Sequence, residues 1–218
     1  TAIQVITDAA IAFGDPGYSR VTESEWLLWL NRVSRATCSR INILERVAYF
    51  DLVAGNDLYG WPEDSVTITA LAATSTPDNI YSYTYLHEMV KEEFRAATSA
   101  YYPDGVTTHY YPSRQYFNLY PRPQDEVSGG GMIEYYGLPA NLDLSGDVLE
   151  IPDFFRDYLS AGMTVLAHRK AKELEEAQTA ERYWVASEQE LIAKLEDRTD
   201  DRRKSLRPSN AGRRGGQW

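Results

Sequence analysis

The chain has 218 residues, 43% of them hydrophobic, with 32 acidic against 22 basic side chains and a formal net charge of -10. That is enough apolar material for a core in one mid-sized domain, or one with a small appendage, and it excludes a wholly disordered chain. A single cysteine, Cys38, excludes an internal disulfide and fits a reducing cytoplasm, no apolar run reaches the roughly 20 residues of a membrane span, and Thr1 to Phe13 lacks the basic start of a signal peptide.

Ala2 to Phe13 reads as a helix with Ile3, Ile6, Ala10 and Phe13 at helical spacing, stopped by the turn Gly14-Asp15-Pro16-Gly17. A second helix starts at Thr22-Glu23-Ser24-Glu25, which has the form of a capping box. Trp26, Trp29, Leu30, Val33 and Thr37 then follow as one stripe that should face a core.

From Val47 the period changes. VAYFDLVAG, DSVTITALAAT and YSYTY are short, β-branched or aromatic, and separated by GNDLYGWPED and STPDN, both rich in turn formers. TYLHEMVKEEFRAAT, Thr84 to Thr98, interrupts them as a short helix with Leu86, Met89, Val90 and Phe94 on one face. THYYPSRQYFNLYPRP gives two strands around a Pro112-Ser113-Arg114 turn, and GGGMIEYYGLP gives another, led in by a loop at Gly129 to Gly131. The count is about five or six short strands between Val47 and Leu138.

Tyrosine is concentrated there, at Tyr81, Tyr83, Tyr85, Tyr101, Tyr102, Tyr110, Tyr111, Tyr116, Tyr120, Tyr135 and Tyr136. Adjacent tyrosines in a strand place one ring on each face of the sheet. Such rings suit an outer sheet surface covered by a neighbouring subunit, and they equally suit half-exposed tyrosines in a monomer.

Ile151-Pro152-Asp153 opens another helix with Pro near its first turn. Its stripe is Phe155, Leu159, Met163 and Leu166, with Gly162 allowing close approach. A further stripe, Ala177, Ala180, Trp184, Ser187, Leu191 and Leu195, makes an αα-hairpin if the charged KAKELEEAQ between them is a turn, or one long helix if it is not.

The periodicity ends beyond Asp197. Arg202 to Trp218, RRKSLRPSNAGRRGGQW, carries six Lys and Arg and no acid, which leaves 16 basic against 32 acidic residues, a net of -16, over Thr1 to Asp201. So acidic a body argues against wrapping nucleic acid, whose affinity comes from neutralised phosphates. A negative wall instead lets DNA pass without sticking, and it also simply keeps a protein soluble.

Catalytic chemistry is thin. His87, His109 and His168 are far apart in the sequence and show no metal-ligand spacing. Cys38, at the end of an amphipathic helix, reads as a buried small residue, and Gly129 to Gly131 lacks the rest of a phosphate-binding loop. No catalytic, cofactor or metal site is expected. The alternatives to a structural role are a nucleic-acid-binding module using the basic tail, and a small hydrolase for which no site is assembled.

The order of the parts resembles a known family. A helix, a GDP turn, the capped helix TESEWLLWLNRVSRAT, strands around LYGWPEDSVTITAL, a strand ending FNLYPRP, the strand MIEYYGLP and a hairpin opening EIPDFFRDYLSAGMTVLAHRKA together resemble the head-to-tail adaptor (connector, or head completion) proteins of tailed bacteriophages. The resemblance covers Ala2 to about Arg198. It implies a non-enzymatic virion protein made in the host cytoplasm. It further implies a twelvefold ring of copies that docks under the portal protein ring, lets genomic DNA through its lumen, and offers a platform to tail or nozzle proteins, without a cofactor or a membrane.

The expected fold is α+β, a helical bundle from residues 1–46 and 142–200 with a small antiparallel β insertion at 47–141 containing one short helix, and an extended basic arm at 201–218. The resemblance makes that arm the portal-docking element, through Arg202, Arg203, Lys204, Leu206, Arg207, Arg213, Arg214 and Trp218. A segment that orders on binding can carry Arg to carboxylates and Trp to a pocket. A ring multiplies a weak arm into a strong attachment, whereas a disordered solubilising tail would share the same composition.

Overall fold

The computed structural model of the chain describes residues 1–76, 82–99 and 102–205, with side chains as far as Leu195. The chain divides into two compact units, Thr1–Ser34 together with the segment from Asn141 onward, and Arg35–Ala140. The fold is mixed α+β, with five helices and mainly antiparallel sheets among the described residues.

In the first unit α1 (Ala2–Phe13) ends at Gly14, whose positive φ of 79° lets the chain turn back while the Gly14 and Asp15 amides donate to Ile11 and Ala10. Val5, Ile6, Ala9, Ala10 and Phe13 are its buried side. α2 (Glu23–Arg40) starts at the expected capping box: the Thr22 amide donates to Glu25 Oε2 at 3.1 Å and the Glu25 amide to Thr22 Oγ1 at 3.4 Å. Trp26, Leu30, Val33 and Thr37 are buried as the stripe requires, and half-buried Trp29 sets its ring edge-on to Trp26 at 5.2 Å. Cys38 is buried.

A 3₁₀ turn, Asp153–Phe155, leads into α4 (Arg156–Ala171), and α5 runs over Leu174–Ser205. The two form a hairpin. Lys172, at φ 62°, turns the chain, its amide donating to Arg169 O and the Glu173 amide to His168 O. α4 contacts both α1 and α5 and is buried on most sides, with Tyr158, Leu159, Met163 and Val165 inside. Along α5, Ala177 and Leu191 are buried and Ala180, Trp184, Ser187 and Leu195 half-buried, the expected stripe. Trp184 lies against Gly162, where a methyl group would come within 2.8 Å of the indole.

The second unit is built on two four-stranded sheets. The first has the order β1 (Leu44–Leu52), β10 (Val127–Gly137), β3 (Ser65–Ala73), β4 (Thr84–Tyr85), all antiparallel. The second has β2 (Leu58–Gly60), β8 (Tyr116–Tyr120), β7 (His109–Pro112) and β5 (His87–Glu88), in which β5 and β7 are parallel. A parallel pair of β6 (Asp104–Gly105) and β9 (Arg122–Pro123) completes the unit. Inward residues of both sheets meet in one core of Leu52, Leu71, Leu86, Phe117, Leu119, Ile133 and Tyr135. Phe117 is its centre, ringed by Trp61 at 4.4 Å, Phe50 at 5.5 Å and Tyr59 at 5.7 Å between centroids.

Five expectations need correction. The five or six short strands expected between Val47 and Leu138 are ten among the described residues, four of them only two residues long. The helix read over Thr84 to Thr98 is confined to α3 (Lys91–Thr98). Its first half is strand, because Leu86 donates to Leu71 O, His87 to Thr108 O and Met89 to Tyr110 O, satisfying amides that a helix would otherwise have used. The turn-rich GNDLYGWPED contains β2, held by pairing with β8. Gly129 to Gly131 lies within β10 rather than ahead of it, with Gly129 at φ 63°. Finally, α5 continues through Arg202, Arg203 and Lys204. No Gly or Pro interrupts the chain before Pro208, and Arg and Lys propagate a helix well and favour its C-terminal end. Leu206, Arg207, Arg213, Arg214 and Trp218 lie outside the described residues.

Candidate interaction surfaces

Reactive side chains are dispersed. Among the described residues no group of three or more His, Cys, Asp or Glu side chains is placed to hold a metal ion. The histidines are not all isolated, however: the β5 and β7 register puts His87 opposite His109, with ring centroids 5.6 Å apart. Sequence reading missed this because the two strands are distant in the chain. His168 instead belongs to the hairpin turn, its Nδ1 2.8 Å from Glu173 Oε2.

One candidate surface among the described residues is the outer face of the first sheet. Strand alternation sends Ala48, Phe50 and Leu52 to the core and Glu45, Val47, Tyr49 and Asp51 outward. Register then lines Tyr49, Met132, Ala72 and Tyr85 across all four strands, with Val47 beside Glu134 and Glu45 beside Tyr136; Met132 and Ala72 in the middle of the row are buried, and the exposure lies at the two outer strands. Val47, Tyr49 and Tyr85 are 52%, 55% and 57% exposed. Two hydroxyls on this face are tied down: Tyr85 donates to Glu134 Oε1 at 2.8 Å and Tyr136 to Glu45 Oε1 at 3.4 Å. Both hydroxyls are held above the usual tyrosine range, Tyr85 first by its bond to Glu134, Tyr136 first by burial and then by the Glu45 charge. The face is an array of fixed amphipathic rings between carboxylates.

The paired tyrosines divide between faces as alternation demands. Tyr135 is buried with its hydroxyl on Asp64 Oδ1 at 3.0 Å, while Tyr136 is outside. Tyr110 is packed against the core, and Tyr111 stacks on Phe94 at 4.8 Å. Tyr81 and Tyr101 lie outside the described residues.

A second exposed surface runs along α5, where Val185 and Ile192 are 49% and 39% exposed and lie seven residues apart, hence on one side of the helix. Gln178, Arg182 and Gln189 share that side. Among the described residues no helix is long and apolar enough to cross a membrane.

Compared with known families, residues 1–213 match the family SU10 adaptor protein. The chain belongs to that family. No curated protein matches it. Membership agrees with the head-to-tail adaptor of tailed phages that the order of the sequence parts resembles, and it makes the chain a structural adaptor and virion component rather than a member of an enzyme family. An adaptor family implies association with portal and tail proteins, which makes exposed surfaces rather than a catalytic pocket the candidates for this chain's contacts.

Proposed function

We propose that this adaptor assembles as a ring, expected to be twelvefold, beneath the portal, continues the DNA channel and gives the tail or nozzle proteins their platform. The basic segment Arg202 to Trp218 fixes each copy to the portal. The observation that carries this reading is the segregation of charge: six basic residues and no acid in the last seventeen, against a net of -16 over the rest. An acidic ring wall repels the phosphate backbone and lets DNA move. An arm of opposite sign can attach the same subunit to carboxylates elsewhere. Since α5 carries Arg202, Arg203 and Lys204, this reading has the arm leave the body as a helix before its Leu206, Arg207, Arg213, Arg214 and Trp218 engage the portal.

The domain division proposed with it makes the helical bundle the ring body and the β unit the part that meets the tail, with exposed Tyr49 and Tyr85 of the first sheet among the contacts. The test replaces the six basic residues of the arm by Ala and follows two readouts, co-sedimentation with the cognate portal ring and salt-dependent binding of duplex DNA. Loss of portal binding with DNA binding negligible throughout supports the docking arm. Strong, salt-sensitive DNA binding that the same substitutions abolish, with portal binding unchanged, supports a nucleic-acid-binding module instead.

A further inference from the structure

β5 and β7 run parallel and in register, so His87 faces His109 and Glu88 faces Tyr110. Successive residues of a strand point to opposite faces, and the two pairs therefore lie on opposite sides of the sheet. On one side the Tyr110 hydroxyl donates to Glu88 Oε2 at 3.2 Å. That contact and burial push the Tyr110 hydroxyl up to about 12, burial being the larger cause. On the other side stand two imidazoles with centroids 5.6 Å apart and planes inclined at 47°. His87 is exposed and His109 half-buried, and neither belongs to the core.

That separation is close to what one metal ion imposes. Imidazoles bound to one tetrahedral ion, or cis on an octahedral one, through bonds of 2.0 to 2.1 Å have centroids about 5 Å apart. His87 is exposed, which leaves its ring room to rotate. The second ring is already oriented: Thr108 Oγ1 lies 2.8 Å from His109 Nδ1. With that oxygen accepting from Nδ1–H, the lone pair of His109 resides on Nε2, the arrangement by which outer partners fix a ligating histidine. Glu88 is held on the other face, and the two protein donors considered are both imidazole. That set suits Zn²⁺, Ni²⁺ and Cu²⁺ and disfavours Mg²⁺ and Ca²⁺.

We propose that His87 and His109 form a two-ligand site for a divalent transition-metal ion, with water completing its coordination. β5 is only two residues long and lies at the edge of its sheet, so an ion bridging it to β7 adds a clamp where backbone pairing is shortest. The site is independent of portal docking and stands or falls by itself.

The test titrates the full-length protein with Zn²⁺ or Ni²⁺ by calorimetry and follows thermal unfolding at increasing metal. One ion should bind per chain and Tm should rise with metal concentration, because the native pair binds better than the unfolded chain. His87→Ala and His109→Ala should each weaken binding at least about tenfold, the scale on which even supporting residues of metal sites act, and remove the rise in Tm. Glu88→Gln should leave both unchanged. Stoichiometric binding that survives in the His87→Ala/His109→Ala double variant overturns the proposal, as does a wild-type protein whose heat of binding equals that of the double variant.

Discussion

Glu173 Oε2 lies 2.8 Å from His168 Nδ1 across the turn between α4 and α5, and the other oxygen of the same carboxylate accepts from the Arg20 guanidinium. Arg20 also sits over the Phe13 ring at 4.5 Å, and Phe13 meets His168 edge-on at 5.0 Å. One carboxylate thus joins the hairpin turn to the loop between α1 and α2. Arg20 first and His168 second hold its carboxyl below the ordinary value of 4.5. The unfolded chain therefore takes up this proton before the native one as the solution is acidified. The stabilisation is complete above that ordinary value and declines below it. Glu173→Gln should lower Tm modestly at pH 7, and the gap to wild type should close as the pH falls below about 4.5; a gap that widens on acidification would contradict this.

Asp15 is the stronger local determinant. Its Oδ1 accepts from the Ser19 amide at 2.8 Å and the Ser19 hydroxyl at 2.6 Å, and its Oδ2 from the Arg20 and Val21 amides at 2.7 and 3.0 Å. The Ser19 hydroxyl is the largest cause that lowers its pKa to about 2, with the three amides assisting against the opposing effect of burial. An amide in its place has one acceptor where the carboxylate has two, so Asp15→Asn should lower Tm more than Glu173→Gln at pH 7. By the same sign argument that difference should persist to about pH 4 and shrink between pH 4 and 2. Thermal scans across this range on both variants check the order.

Phe117 carries the β unit. It is fully buried against Phe50, Tyr59 and Trp61, and its removal leaves a cavity in the core. Phe117→Ala should cost about 3 to 5 kcal/mol. Denaturant unfolding gives the magnitude. Amide hydrogen exchange should show the loss over Arg35–Ala140 before the helical unit.

Gly162 sets two opposing effects against each other. In an exposed helix Gly to Ala gains about 1 kcal/mol in propensity. Here the new methyl group would stand 2.8 Å from Trp184 Cε2 and 3.0 Å from its Nε1. Overpacking of that kind costs about 1 to 3 kcal/mol, so Gly162→Ala should destabilise on balance. A variant more stable than wild type would mean that the Trp184 ring shifts aside freely.

The helices were legible where one face repeats without competition. The Trp26 to Thr37 stripe and the Ala177 to Leu195 stripe each follow helical spacing and are inward in the structure. The turn between α4 and α5 was ambiguous because Lys172 marks no stop by composition, although it takes a positive φ; carbonyls of α4 hold it there. Leu86, Met89, Val90 and Phe94 mimic a helical face, yet Leu86 is inward from a strand edge whose partners lie at Leu71 and Thr108. Pairing of that range leaves no local signal. The meeting of His87 with His109 is hidden for the same reason, whereas the division of Tyr135 and Tyr136 between faces follows from strand alternation alone.

The most direct test of the adaptor reading is the native mass of the complex formed with the cognate portal ring, measured for the full chain and for a chain ending at Ser205, which keeps α5 whole. The full chain should add a complete ring of copies to the portal, and the shortened chain should add none while keeping its fold by circular dichroism. A shortened chain that loads the portal as fully as the intact one would contradict the docking arm, and a full chain that adds no ring would contradict the adaptor assembly itself.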